Sequence, residues 1–291
     1  MLNPTTVLSE ALSDYLANYY RGMFGPAEPT YPTLLTVVSR IVIERIANSD
    51  ALYHDVNHTM LVTQVGQEIL RGRHLTREVT PQDWLHVTVA LLCHDIGYVR
   101  GICRGDTATT FVVDDRGTQV TPPRGASDAW LTPWHVERSK LFVHERLGPL
   151  PFLDAERIAR AIEHTRFPVP DGTDGLDTGS EGALVRAADL IGQLADPNYP
   201  RKLTHLYHEF VETGTAARLG YDSAADLLDQ YPKFYWGMVQ PYITDAIACL
   251  QLTQEGKQWI ANLYSHVFAV EHDQYRFGPH RGPVAGAAAK A

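Results

Sequence analysis

Pro81-Gln-Asp-Trp-Leu-His-Val-Thr-Val-Ala-Leu-Leu-Cys-His-Asp95 is the stretch whose reading decides the fold. Pro81 suits the first position of a helix, where its missing N–H would have no partner anyway. Val87 follows Trp84 by three residues and Leu91 follows Val87 by four; His94 and Asp95 lie three and four beyond Leu91. One helical face therefore runs from an apolar lead-in to a polar pair. A His-Asp pair at the end of an apolar helix is destabilising unless something compensates it.

Working outward, residues 5–24 read as a first helix, broken by Gly25–Pro32, and 33–48 as a second. A third begins near His54 and runs to about Arg71, so that His54 and His58, at i and i+4, share one face. Helical periodicity resumes over Trp134–Leu147, Asp154–Thr165 and Glu181–Leu194. Three more helices are expected over roughly 200–275, with a break near Tyr231-Pro232. Between the doublet and Trp134 the composition shifts to Gly, Pro, Thr and Asp. There Thr110-Phe-Val-Val and Thr118-Gln-Val-Thr flank Asp114-Asp-Arg-Gly, which predicts a β-hairpin over 110–121. Pro168–Ser180 reads as a Gly/Asp-rich loop, and 279–291 as a flexible tail. No internal repeat or linker divides the chain. The expectation is an all-α fold: one compact multi-helix domain over 1–278 with a small hairpin insertion.

Composition bounds the function. The 291 residues, 44% hydrophobic, suffice for a large core. Lys and Arg number 25 against 34 Asp and Glu, a net charge of −9. That balance excludes a general nucleic-acid binder, which needs a basic face. It leaves room for a small anionic substrate whose charge is offset by metal ions and a few local cations. Cys93, Cys103 and Cys249 are neither a disulfide framework nor a clustered thiolate zinc site. With no basic, apolar leader at the N-terminus and no membrane-length apolar run, the expected compartment is a reduced cytoplasm. The sequence leaves a homodimer open.

The remaining signal is in the histidines. His135 opens a predicted helix, His164 closes one, and Asp189 sits mid-helix among apolar neighbours in Ala-Ala-Asp-Leu-Ile-Gly. Any one of these alone reads as a satisfied or surface residue, and Asp189 alone reads as a partner for Arg186. His74, His86, His205, His208, His266, His272 and His280 keep that reading. As an ordered set with His58 and the doublet, they suit a divalent cation, since imidazole nitrogen with carboxylate oxygen binds Zn, Fe, Mn and related ions.

The set resembles the HD-domain superfamily of metal-dependent phosphohydrolases. The pattern is a histidine (His58), a His-Asp doublet with its apolar lead-in (Leu-Leu-Cys-His94-Asp95-Ile-Gly-Tyr) and a distant Asp (Ala-Ala-Asp189-Leu), and it covers roughly residues 40–210. Two further histidines between doublet and last Asp mark binuclear members, and His135 and His164 fall there. The resemblance thus implies two divalent metals, Mn, Fe, Mg or Zn, on His58, His94, Asp95, His135, His164 and Asp189, with Asp95 bridging. Tyr53-His-Asp-Val-Asn-His58 is in addition similar to a segment of cyclic nucleotide phosphodiesterases whose first histidine is the proposed general acid. Asp55 departs from that pattern, as does the Gly97-Tyr-Val-Arg-Gly continuation, and a purine-reading glutamine has no secure counterpart.

The resemblance implies hydrolysis of a nucleotide phosphodiester. Two metals share a water, lower its pKa and clamp the phosphoryl oxygens, while His54 protonates the leaving alkoxide. Arg100, Arg104, Arg138 and Lys140 lie near the motifs and are candidates for phosphate contacts. The hairpin is expected to wall or cover the site, with Phe111 or Val113 touching substrate. The competing class is oxidative, because some HD-domain proteins hold two irons and use dioxygen on a small organic substrate. A non-catalytic scaffold, the third class, is disfavoured by the intact ligand set.

Overall fold

The computed structural model describes residues 3–170 and 177–272. The expected tail at 279–291 and part of the loop at 168–180 lie outside them. The described residues form thirteen α-helices and one two-stranded hairpin. The first seven helices are α1 (Pro4–Phe24), α2 (Tyr31–Ile46), α3 (Val56–His74), α4 (Pro81–Cys93), α5 (His135–Phe142), α6 (Ala155–Glu163) and α7 (Glu181–Leu194). The C-terminal six are α8 (Tyr199–Glu212), α9 (Thr215–Leu219), α10 (Ala224–Asp229), α11 (Tyr231–Phe234), α12 (Thr244–Leu250) and α13 (Gln254–Glu271). None of the described helices is long and apolar enough to cross a membrane.

Helix α3 is the hub. It packs along α7, against α4, and against α12 and α13. The α3–α7 seam is close because Gly192 carries no side chain: a Cβ there would lie 2.7 Å from the Val62 Cα. Val62, Val65, Ile69, Trp84, Leu91, Val185 and Ile191 fill the space between α3, α4 and α7 and are buried. Each large apolar side chain buried in this way stabilises the fold by about 1.5–3 kcal/mol. Between α3 and α4 a polar chain is fully satisfied: Trp84 Nε1 donates to Gln67 Oε1 at 2.9 Å, and Gln67 Nε2 donates to Thr88 Oγ1 at 3.0 Å. Helix α4 starts where Pro81 predicts, with Thr80 and Asp83 forming a capping box.

Two boundaries differ from expectation. Helix α3 begins at Val56, not His54, because Asp55 takes the N-cap and accepts from the His58 N–H at 2.9 Å. His54 therefore precedes the helix rather than sharing its face with His58. Beyond α8 the chain is more broken than three helices. Gly214 and Gly220, both at φ 73°, flank the single short turn of α9, and π- and 3-10 turns fill 235–242.

The hairpin is present, with β1 (Phe111–Val112) antiparallel to β2 (Gln119–Val120) and Phe111 opposite Val120. Asp114 closes the turn by accepting from Arg116 N and Thr118 N. Phe111, Val112 and Val113 are all buried. Val112 is pinned through its N–H to Asp106 and its carbonyl to Arg138. The hairpin is thus an anchored part of the body, with Phe111 and Val113 packed within it.

Candidate metal centre

Four ligand atoms converge where α3, α4 and α7 meet. His58 comes from the first turn of α3, His94 and Asp95 from the end of α4, and Asp189 from the middle of α7. His58 Nε2 and His94 Nε2 are 3.4 Å apart. Asp95 Oδ2 is 3.2 Å from each of them, and Asp189 Oδ1 is 3.3 and 3.5 Å away. The ligand atoms of His58, His94 and Asp95 all lie within 4.8 Å of one another; Asp189 closes the set through the two histidines. The other Asp95 oxygen, Oδ1, faces His135 Nε2 at 3.8 Å.

Local contacts aim each of these groups. Ser139 on α5 accepts from the Gly97 N–H at 2.9 Å and donates to the His94 carbonyl at 2.7 Å, so it clamps the turn that carries the doublet. Gly97 lets α5 come close, since a Cβ there would lie 1.9 Å from the His135 carbonyl oxygen. That approach brings His135 to Asp95. His94 Nδ1 is 2.8 Å from the Leu91 carbonyl and His135 Nδ1 is 2.6 Å from the Thr132 carbonyl. A carbonyl can only accept, so both Nδ1 atoms carry a proton; in the neutral imidazole Nε2 then faces the cluster with its lone pair. This second partner is the pattern of metal-ligating histidines.

Two carboxylates and two imidazoles are packed together here. Burial pushes the Asp95 carboxyl up, yet His94 and His58 pull it well below the usual carboxylate range. Asp189, under the same opposition, is drawn down to about 2. Burial disfavours charged His94, and Asp95 and Asp189 push it the other way. Asp95 Oδ2 is buried and has no hydrogen-bond partner among the described residues, although two imidazole nitrogens lie 3.2 Å away. A buried carboxylate oxygen beside two imidazole nitrogens needs a proton or a cation between them. A divalent cation on His58, His94, Asp95 and Asp189 would meet that need, and this nitrogen–oxygen donor set suits a Zn-, Fe- or Mn-class ion. His135 with Asp95 Oδ1 offers the start of an adjoining position.

Beside the cluster, His54 Nδ1 lies 2.6 Å from Glu209 Oε2 on α8. Glu209 also accepts from the backbone N–H groups of Tyr53 and His54 through Oε1, at 2.7 and 3.4 Å. Burial works against the imidazolium, but Glu209 and the cluster carboxylates hold His54 protonated up to about 9. Its ring stacks on Tyr98 at 4.5 Å, and Tyr98 stacks in turn on His135 at 4.5 Å. The His135 pKa is lowered by burial. No local sequence pattern marks Glu209 or Tyr98. Glu209 is 155 residues from His54 along the chain, and Tyr98 follows the doublet in Ile96-Gly97-Tyr98.

The other sequence candidates lie elsewhere. His164 ends α6 as expected, but its ring rests on Gly182, where a Cβ would be 2.3 Å from it. Gly182 is seven residues before Asp189 on α7, about 10 Å of helix rise. The candidate phosphate-binding cations are committed to protein partners. Arg138 is fully buried and donates to the Gly97 and Val99 carbonyls at 2.7 and 2.9 Å and to Asp106 at 2.9 Å. It welds the doublet turn to the hairpin and is closed to a substrate. Arg100 pairs with Asp128 at 2.8 Å, the Arg104 guanidinium donates to the Glu145 carbonyl at 3.1 Å while the Arg104 backbone N–H donates to the Glu145 carboxylate at 2.6 Å, and Lys140 pairs with Glu137 and Glu163 at 2.8 and 2.5 Å. His86 and His266 keep their structural reading, bonded to Asp154 N and to the Asp196 carbonyl. A separate cavity of about 350 Å³ is lined by Tyr15, Tyr19, Glu68, Arg71 and Trp259 and shares no residue with the cluster.

A family model described as Npun_R2479-like matches residues 2–273, so the chain belongs to the Npun_R2479-like family. The chain is also similar to part of Transcription factor 12 of Homo sapiens, 27% identical over 122 residues, or 42% of this chain and 18% of that protein. Transcription factor 12 of Mus musculus matches at the same identity over the same length, 17% of it being covered. The chain spans less than a fifth of the length of these curated relatives.

Proposed function

We propose that this member of the Npun_R2479-like family is a metal-dependent phosphohydrolase that cleaves a phosphodiester of a small nucleotide-like substrate. The carrying observation is the pairing of two things: ligand atoms of His58, His94, Asp95 and Asp189 drawn to within hydrogen-bond range, and a Glu209-held His54 beside them. In this reading His58, His94, Asp95 and Asp189 would hold one divalent ion, and Asp95 with His135 would begin the site of a second. Bound there, such ions would supply an acidified water and neutralise phosphoryl charge.

The protein's own part falls to His54. Glu209 takes its Nδ1 proton as a hydrogen bond and fixes the ring, and Tyr98 holds it from one face. The remaining ring nitrogen, Nε2, carries the proton that an alkoxide leaving group requires. The acceptor-only Glu209 also keeps the imidazole protonated at neutral pH. An oxidative reaction has no need of such a donor, and this supports hydrolysis over the oxygenase alternative. His54→Gln is expected to retain metal and to lose on the order of 10²–10⁴ in kcat on an alkyl phosphodiester. The loss should be much smaller on a p-nitrophenyl phosphodiester, whose leaving group hardly needs a proton. Turnover that depends on dioxygen, or equal losses on both substrates, would overturn this reading.

A further inference from the structure

Helix α7 carries a second group that the metal centre does not use. Arg186 is 3% exposed. Its Nε and Nη2 have no hydrogen-bond partner among the described residues. Nor does it pair with Asp189, its expected partner, whose Oδ1 turns to His58 and His94 instead. The guanidinium carbon lies 4.6 Å over the Tyr242 ring. Burial and the Arg186 charge hold the His164 imidazole below the ordinary histidine value, against Asp177 and Glu163; Asp177 also acts on Arg186, without a hydrogen bond to its Nε or Nη2. A buried guanidinium with open donors is destabilising until an anion satisfies it.

Position and geometry define the place such an anion would take. Gly182, Arg186 and Asp189 are at i, i+4 and i+7, one face of α7. That face therefore presents the His164 ring, then the guanidinium, then the metal ligand. The two open nitrogens, Nε and Nη2, form the side-on edge of the guanidinium, the fork that meets two oxygens of one phosphate or carboxylate in parallel. We propose that Arg186 is the anion receptor of this centre: its side-on edge takes two oxygens of a substrate phosphoryl group, about one helical turn from the metal ligands. Tyr242 backs the guanidinium, and the His164 ring lies against Gly182 on the same face of α7. This rests on the phosphohydrolase reading for the identity of the anion. It replaces Arg100, Arg104, Arg138 and Lys140 as the source of positive charge.

The test is the binding of inorganic phosphate to the full chain by calorimetry, in the Mn-loaded and the EDTA-stripped forms, for wild type, R186Q and R186K. Phosphate should bind wild type, and R186Q should weaken it on the order of 10–100-fold in both forms, the range for a hydrogen bond to a charged group. R186K keeps the charge without the fork and should fall between. R186Q should keep its metal and should not melt lower than wild type, since it removes a buried charge whose Nε and Nη2 have no hydrogen-bond partner among the described residues. A structural arginine would give the reverse: a lower melting temperature and unchanged phosphate affinity. That result, or no phosphate binding by wild type, overturns the proposal. Should R186Q not fold, R186K binding phosphate as tightly as wild type does so as well. Arg186-dependent phosphate binding by a protein that hydrolyses no phosphoester would sink the hydrolase reading alone. Hydrolysis with unchanged phosphate affinity in R186Q would sink the receptor alone.

Discussion

Glu209 on α8 reaches across the fold to His54, with Oε2 2.6 Å from Nδ1, while its other oxygen gathers the backbone N–H groups of Tyr53 and His54. One carboxylate thus fixes both the position and the charge of the residue before α3. The pair is nearly sealed, with side-chain exposures of 17% for His54 and 4% for Glu209, so water screens it little.

Glu209→Gln follows from this contact. A group whose folded pKa is raised keeps its proton below that value and loses it as pH rises through it. Glu209 is among the causes that raise His54. The alkaline limb of the kcat–pH profile should therefore move to lower pH in Glu209→Gln, toward the ordinary imidazole value of about 6.5. Metal content should be unchanged. A profile that stays in place would remove His54 from the proton-transfer role.

Arg138→Ala should behave as a folding variant, not a substrate-binding one. It leaves Asp106, itself 1% exposed beside a fully buried guanidinium, as an unpaired buried charge. Breaking such a pair destabilises by about 3–5 kcal/mol, measured as a lower denaturant midpoint. The folded fraction should keep the wild-type KM for a phosphodiester. A large KM change at unaltered stability would restore Arg138 as a phosphate contact.

His164→Ala separates the ligand set implied by family resemblance from the placement in the fold. His164 packs on Gly182, two turns before Asp189. The variant should hold as much metal per chain as wild type, by elemental analysis after gel filtration. A loss of about one ion per chain would return His164 to the ligand set.

Much of this site was legible because its ligands end or interrupt apolar helices. His94 and Asp95 finish the Trp84-Val87-Leu91 face, and Asp189 stands among alanines and leucine, where a lone carboxylate has no local partner. Thr80 and Pro81 likewise announce α4 by local chemistry. The i, i+4 spacing of His54 and His58 predicts both on α3, but Asp55 competes for the N-cap and wins. Glu209, Arg186 and the burial of Arg138 depend on contacts between distant segments, which no short-range pattern encodes. Arg138 sits beside the motifs in sequence and reads as an available cation, yet three backbone carbonyls and Asp106 absorb all of it.

The central claim is that the orphaned Asp95 oxygen and its neighbours form a metal site. The most direct measurement is metal content per chain, by elemental analysis, for wild type and Asp95→Asn after reconstitution with Mn and gel filtration. Wild type should retain at least one ion per chain and approach two before the column, because Asp95 offers one oxygen to His58 and His94 and the other to His135. Asp95→Asn should retain almost none and should lose the stabilisation that metal binding gives the native state. A wild-type chain that holds well under one ion, or an Asp95→Asn chain that holds as much as wild type, would contradict the account.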